Sequence, residues 1–358
     1  MKTIMALLKW RIGWNNRSTG IGRSLLAAVA VLIATTATHH IGAAAGTTAT
    51  PSGRTFAALP AGSGQLSLIN IHMNNGTSGW AMSPTALLRT VDGGSHWHAV
   101  TPSGLKMQPN FVPAASYLNP NTAWISDGFQ PNHPGIFRTT NGGQTWQHTT
   151  LPLPGQSAGG LDIKQIDFID AKHGWILENL GGGAGTFYFA LLHTADGGAH
   201  WSTVADGNQS PPAQGAYPRN VQGIGFQNTS NGWTTVVIPA GPQLSGMYRT
   251  TDGGHIWQRV TLPMSGAFQN GFYDVEPPAF FSANKGATVV ASETAVGLYV
   301  TSNGGATWAP TTPLHLKVSF SVANPLSANV IDQTHAWVAV NSSLYFTSDL
   351  GRHWTSLA

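Results

Sequence analysis

Short runs of alternating apolar and polar residues recur along this chain, and each run ends at a turn former. Ile71 and Met73 lead into Asn75, Ala115 and Tyr117 into Asn119, and Ile166 and Phe168 into Asp170. Ile224 and Phe226 lead into Asn228, Pro278 and Phe280 into Ser282, and Ala328 and Val330 into Asp332. Five residues beyond each turn former stand Trp80, Trp124, Trp175, Trp233, Ala287 and Trp337. Period-two alternation running into a turn predicts a strand with one buried face, followed by a second strand that begins at the Trp step.

A second register runs in phase with the first. Thr, any residue, Asp or Asn, any residue, Gly, two more and Trp begins at Thr90, Thr139, Thr194, Thr250, Thr301 and Thr347, with successive starts 49, 55, 56, 51 and 46 residues apart. Its turn and ring positions are Asp92 and Trp97, Asn141 and Trp146, Asp196 and Trp201, Asp252 and Trp257, Asn303 and Trp308, and Asp349 and Trp354. An Asp or Asn side chain bonds backbone N–H groups nearby and Gly accepts positive φ, so the motif reads as a hairpin corner. A third strand ends in pieces such as Leu87–Thr90 and Met247–Thr250, and a fourth begins at the motif Trp.

Four strands of about five or six residues with their turns fill about fifty residues. A repeat of that length with turn residues at its centre predicts an all-β propeller of six four-stranded blades. No interval between motifs is long enough to hold a seventh unit, although Arg54 to Leu59 could supply a closing strand. Eleven of the 13 Trp sit in the two registers, and charged residues make up only 9% of the chain. The motif residues are therefore read first as structure that holds the blades.

The N-terminus follows different rules. Lys2, Lys9, Arg11, Arg17 and Arg23 precede an apolar run from Leu25 to Ala37, and Ala43-Ala44-Ala45 offers a small-residue cleavage site. Residues 1–45 are expected to be a signal peptide or an N-terminal membrane anchor, 46–53 a linker, and 54–358 the propeller. The net charge of +3 depends on this leader, because residues 54–358 hold 12 Lys and Arg against 14 Asp and Glu. The basic balance thus gives no support for nucleic-acid binding. The chain has no Cys, which excludes disulfides and thiolate metal sites.

The repeated Thr-x-Asp-Gly-Gly-x-x-Trp, with its apolar strand and Gly-Trp step, resembles the BNR or Asp-box repeat. More narrowly, residues 54–358 resemble the propeller of the photosystem II stability/assembly factor family and its bacterial relatives outside photosynthesis. The resemblance implies an exported protein without catalytic residues or cofactors that binds a protein or cell-surface partner, such as a membrane protein. It implies an assembly-factor or scaffold role, a monomer, and membrane contact only through the N-terminal segment. Asp boxes also occur in sialidases, other glycoside hydrolases and sortilin-type receptors, so a glycan-active hydrolase and a carbohydrate-binding module are the alternatives.

Sialidases carry an Arg-Ile-Pro step on their first strands, and this chain has none. Its Glu residues are only Glu178, Glu276 and Glu293. Glycoside hydrolysis ordinarily needs two carboxyl groups flanking the scissile bond, and Asp162, Asp167, Asp170, Asp274 and Glu276 are the available partners. Tyr273, Asp274 and Glu276, read as an inter-blade stretch, are the best catalytic candidates.

Arg89, Arg138 and Arg249 each precede a motif Thr, where His193, Val300 and Phe346 stand in the other units. They are candidates for a basic girdle that meets carboxylates on a partner, or else ties between neighbouring blades. His96, His200 and His353 share one motif position with His255 one place earlier, but in separate blades, so no metal site is expected. Gly181-Gly182-Gly183 and Gly185 lack the Lys of a phosphate-binding loop and are expected to form a long loop between second and third strands.

Overall fold

The computed structural model describes residues 68–107, 112–127, 134–152, 162–183, 186–207, 218–237, 245–264, 266–272, 274–317, 327–340 and 343–356. The expected leader, the linker, the Arg54–Leu59 strand and Tyr273 lie outside these residues. Among the described residues, no helix is long and apolar enough to cross a membrane.

Six antiparallel sheets follow one another along the chain. The first joins β1 (Asn70–Met73), β2 (Gly79–Met82), β3 (Leu87–Thr90) and β4 (His98–Ala99). The second joins β5 (Ala115–Tyr117), β6 (Ala123–Ser126), β7 (Gly135–Thr139) and β8 (Gln147–Thr150). In the third stand β9 (Asp162–Phe168), β10 (Gly174–Gly183), β11 (Thr186–Thr194) and β12 (Ser202–Asp206). The fourth holds β13 (Val221–Phe226), β14 (Gly232–Val237), β15 (Ser245–Thr250) and β16 (Gln258–Val260).

The fifth blade has a divided innermost strand, β17 (Asp274–Val275) and β18 (Ala279–Phe280), both paired to β19 (Gly286–Ala291). Its outer strands are β20 (Ala295–Thr301), β21 (Ala309–Pro310) and β22 (Leu314–His315). Pro277 and Pro278 cause the division, because neither has an N–H to give to a ladder. Asp274 is therefore part of a blade, and not of an inter-blade stretch as the sequence had suggested. The sixth blade is β23 (Ser327–Val330), β24 (Ala336–Val340), β25 (Ser343–Thr347) and β26 (Thr355–Ser356).

The third blade departs from expectation at its glycines. β10 and β11 continue through Gly183 and Thr186, with a bulge between Asn179 and Gly182, so the expected long loop is mostly strand. Asn179 Oδ1 accepts the Gly181 N–H at 3.0 Å, and Gly181 takes φ of 80°, which lets the strand bend without breaking.

The six boxes share one hydrogen-bond pattern. Each box Thr Oγ1 accepts the N–H four residues on, from Gly94, Gly143, Gly198, Gly254, Gly305 and Gly351, at 2.8–2.9 Å. Each box Asp or Asn Oδ1 accepts the N–H of His96, Thr145, His200, Ile256, Thr307 or His353 at 2.9 Å. A further backbone bond ties every box to the first turn of its own blade, as Gly93 N–H to Thr77 O at 2.7 Å and Leu350 N–H to Thr334 O at 2.7 Å. Leu350 takes φ of 57° where the other five boxes use Gly, at a local cost near 1 kcal/mol.

The core lies between blades and is built in layers. Trp80, Trp124, Trp175 and Trp233 are fully buried, each set against the innermost strand of the next blade. Trp124 stacks on Phe168 and Trp175 on Phe226 at 3.8 Å, while Trp233 packs tilted against Phe280 at 4.3 Å. The box rings Trp201, Trp257 and Trp308 close these stacks edge-on against the same phenylalanines at 5.9, 6.3 and 6.2 Å. Apolar clusters link the first blade to the second and so on to the sixth.

Candidate functional site

Antiparallel strands put the two kinds of turn at opposite ends of each blade. The box corners and the turns between first and second strands lie on one face. The connections between blades and between second and third strands lie on the other. The starts of the innermost strands β9, β13 and β17 therefore share the face opposite the boxes, at one mouth of the channel that innermost strands surround.

Three ionisable groups at that mouth depart from their ordinary behaviour. The Lys164 ammonium donates to Val221 O at 2.8 Å and to Gln222 Oε1 at 3.2 Å. Burial lowers it to about 8, and only Asp162 opposes that shift. Burial also pushes the Asp274 carboxyl up to about 6, although its contact with the Val275 N–H favours the charged form. Glu276 is pushed up to about 8, first by burial and then by the neighbouring Asp274.

Asp274 opens β17 and Glu276 directly follows that strand, close enough for the two charges to act on each other. Val275 between them is buried in the core against the fourth blade. The Glu276 backbone is fixed by its N–H to Val289 O at 2.9 Å and by the Thr288 hydroxyl donating to its carbonyl. This gives two neighbouring carboxyls whose like charges oppose full ionisation.

Two other carboxylates named from the sequence, Asp167 and Asp170, are engaged elsewhere, and Asp162 begins β9 beside Lys164. Asp167 accepts the Phe226 N–H at 2.8 Å, and burial pushes it up to about 6. Asp170 caps its turn, accepting the Lys172 and His173 N–H groups at 2.6 and 2.7 Å. Sequence reasoning missed Lys164, Gln222 and Glu178. No local signal marked Lys164, because β9 also carries Asp162, Gln165 and Asp167.

The three arginines do not gather at this mouth. Arg89, Arg138 and Arg249 lie directly across from Trp80, Trp124 and Trp233 and cover those indoles at 5.9, 5.7 and 5.4 Å. Arg89 Nε donates to Pro120 O at 3.0 Å and Arg138 Nη2 to Ala171 O at 3.5 Å, both in the next blade. Arg249 Nη2 donates to Asn231 Oδ1 at 3.1 Å in its own blade. Each guanidinium thus combines a cation–π contact with a local hydrogen bond, and all three sit toward the box face.

The box histidines are occupied too. His96, His200 and His353 place Nδ1 at 2.6, 2.7 and 2.5 Å from Asp92, Asp196 and Asp349. Among the described residues, no group of three or more His, Cys, Asp or Glu side chains is arranged to hold a metal ion.

Comparison with known proteins supports the architecture. A family model described as Photosynthesis system II assembly factor YCF48 matches residues 129–272. Xyloglucanase Xgh74A of Acetivibrio thermocellus is 28% identical over 173 residues, which is 41% of this chain and 19% of that protein. A xyloglucanase of a Paenibacillus species is 27% identical over 200 residues, or 48% of this chain and 18% of that protein. The chain thus spans about a fifth of the length of these relatives. A solved structure of YCF48 bound to D1 peptide superposes with a TM-score of 0.51 at 17% identity, covering 84% of this chain and 86% of that one. With six box-bearing blades in register, the chain is an Asp-box β-propeller, and over residues 129–272 it is similar to the photosystem II assembly factor family.

Proposed function

We propose that this chain is an exported, non-catalytic propeller that binds a protein partner at the channel mouth opposite its Asp boxes. The observation that carries this reading is that Lys164, Asp274 and Glu276, all with burial-shifted ionisation, stand at or beside the starts of innermost strands that face that mouth. Groups perturbed in this way cluster at functional sites more often than elsewhere. The arginines have structural partners, whereas nothing in blade packing calls for two carboxyls at Asp274 and Glu276. Binding fits better than hydrolysis because Asp274 and Glu276 stand two residues apart in one segment, whereas a glycosidase pair flanks the bond it cleaves. The peptide-bound YCF48 structure is a further reason to favour a protein partner, and the N-terminal basic and apolar pattern is the reason to favour export.

The test is affinity capture with the full chain from detergent-solubilised envelope of the source cells, run beside Lys164→Ala and Glu276→Gln variants. A protein retained by the native chain and lost with either variant is the expected result. The xyloglucanase relatives supply the counter-test. Release of reducing ends from xyloglucan, abolished by Glu276→Gln, would replace the binding reading with a hydrolytic one.

A further inference from the structure

The innermost strands of the third, fourth and fifth blades end in the same way. Phe168, Phe226 and Phe280 stand opposite Gly174, Gly232 and Gly286. They lie one step in from the backbone bonds Ile169 N–H to His173 O, Gln227 N–H to Asn231 O and Phe281 N–H to Lys285 O. Those bonds mark hydrogen-bonded pairs, so the three phenylalanines fall in pairs of the other kind, whose N–H and C=O groups turn away from their own ladder. An innermost strand has no further ladder on that side, and these groups therefore face the channel, at its box end.

Side chains of the preceding blade take two of the three N–H groups. Ser116 Oγ accepts that of Phe168 at 3.2 Å, and Asp167 Oδ2 accepts that of Phe226 at 2.8 Å. The third position in this series is Gly225, which stands opposite Trp233 as Ser116 stands opposite Trp124 and Asp167 opposite Trp175. Gly225 has no side chain to offer. There the channel widens into a cavity of about 320 Å³, lined by Asp167, Gly225, Phe226, Pro278 and Phe280 among others.

The cavity presents mostly acceptors. The carbonyls of Phe168, Phe226 and Phe280 turn toward it with the Asp167 carboxylate, against the one N–H of Phe280 that no side chain takes. Asp167 is only partly buried, and its hydrogen bond to blade four uses Oδ2. Among the described residues, no Lys, Arg or His forms an ion pair with it.

We infer that this cavity is a binding site for a primary ammonium group, carried on a lysine side chain or on a small alkylamine. An ammonium has three donors and no acceptor, which suits one anionic oxygen set among carbonyls. A guanidinium suits it less, because its planar fork pairs with both oxygens of a carboxylate, and the Phe226 N–H already holds one. A hydroxyl carries a single donor and no charge. Burial disfavours the charged form of Asp167, and a cation against Oδ1 offsets that penalty. The site lies at the opposite end of the channel from Asp274 and Glu276 and does not rest on the function proposed for that mouth.

Calorimetric titration of the full chain with pentylammonium, pentylguanidinium and pentanol tests this. Pentylammonium should bind at millimolar concentration, with the guanidinium and the alcohol weaker by about tenfold or more. Asp167→Asn keeps an acceptor for the Phe226 N–H and should weaken the ammonium by about tenfold or more. Gly225→Thr should weaken it too, by narrowing the cavity. A Cβ at Gly225 meets Pro277 Cβ and Pro278 O at 3.5 Å, an ordinary contact, so that variant keeps its fold. A short peptide with one central lysine, run beside its norleucine counterpart, separates the sources: binding tighter than pentylammonium assigns the site to a lysine side chain, and weaker binding to a small amine. Absence of pentylammonium binding, or equal affinity in Asp167→Asn, would overturn the inference. So would loss of binding in Glu276→Gln alone, which would move the ligand to the other mouth.

Discussion

The Trp124 indole lies on the Phe168 ring with centroids 3.5 Å apart and planes 4° from parallel, joining two blades whose strands share no ladder. The same indole donates Nε1–H to Gly197 O at 2.8 Å, in the box of the next blade. One side chain therefore supplies both the apolar layer and a polar tie between blades. Trp124→Phe keeps most of the area and orphans a carbonyl, which should cost about 1–3 kcal/mol. Trp124→Ala should cost about 3–5 kcal/mol. Trp337 is only partly buried and its ring partner is Phe346 of its own blade, so Trp337→Phe should cost under about 1 kcal/mol. Urea unfolding of the three variants checks the order.

Much of this interface was legible in the sequence, because Thr, Asp, Gly and Trp at fixed spacing can satisfy only one kind of corner. The strand alternation located the faces, and the Trp step located the layers. Pro277-Pro278 was equally visible, yet its effect depends on which neighbour Asp274–Val275 pairs with, a long-range fact. The arginines repeated at one register, but their partners lie 31 and 33 residues away for Arg89 and Arg138. Burial of Lys164, Glu178 and Glu276 follows from the packing of whole blades, which no local pattern records.

The second Gly of each box tests how tightly neighbouring blades approach. Gly305 has φ of 77°, and a Cβ there would fall 2.6 Å from the Trp233 ring. Gly93, the first Gly of its box, has φ of 72°, but its nearest neighbour would be Gly76 O at 3.1 Å. Gly93→Ala should therefore cost about the left-handed penalty alone, ~1–2 kcal/mol. Gly305→Ala adds a clash with a fully buried ring and should cost at least about 3 kcal/mol. Equal losses in thermal or urea unfolding would show that the junction has slack.

The box carboxylates predict acid sensitivity of a defined sign. The His96 backbone N–H and imidazole hold Asp92 at about 2, and the His173 imidazole and N–H hold Asp170 at about 2. Asp196 and Asp349 are held well below the usual carboxylate range by the equivalent groups of His200 and His353. A carboxyl lowered on folding contributes stability that is fully present above about pH 4 and is lost as pH falls toward 2. The second and fifth boxes use Asn141 and Asn303, which have no such dependence. Converting Asp92, Asp196 and Asp349 together to Asn should flatten the decline of melting temperature below about pH 4. An unchanged slope would assign acid lability to other groups.

Glu178 predicts the opposite slope. It is fully buried in β10, neither carboxyl oxygen has a hydrogen-bond partner, and desolvation pushes it up to about 8. A carboxyl raised on folding contributes most stability below its unfolded value near 4.5 and loses it as pH rises to about 8. Even its neutral form leaves polar atoms unpaired in an apolar setting, at a cost of about 1–3 kcal/mol. Glu178→Met, similar in length and without that demand, should therefore stabilise the chain by about 1–2 kcal/mol at neutral pH. The gain should widen between about pH 5 and 8, because the native protein alone must deprotonate or hold its proton against the solvent. Chemical denaturation at three pH values measures both terms, and a destabilised Met variant with an unchanged pH slope would show that the carboxyl has a partner.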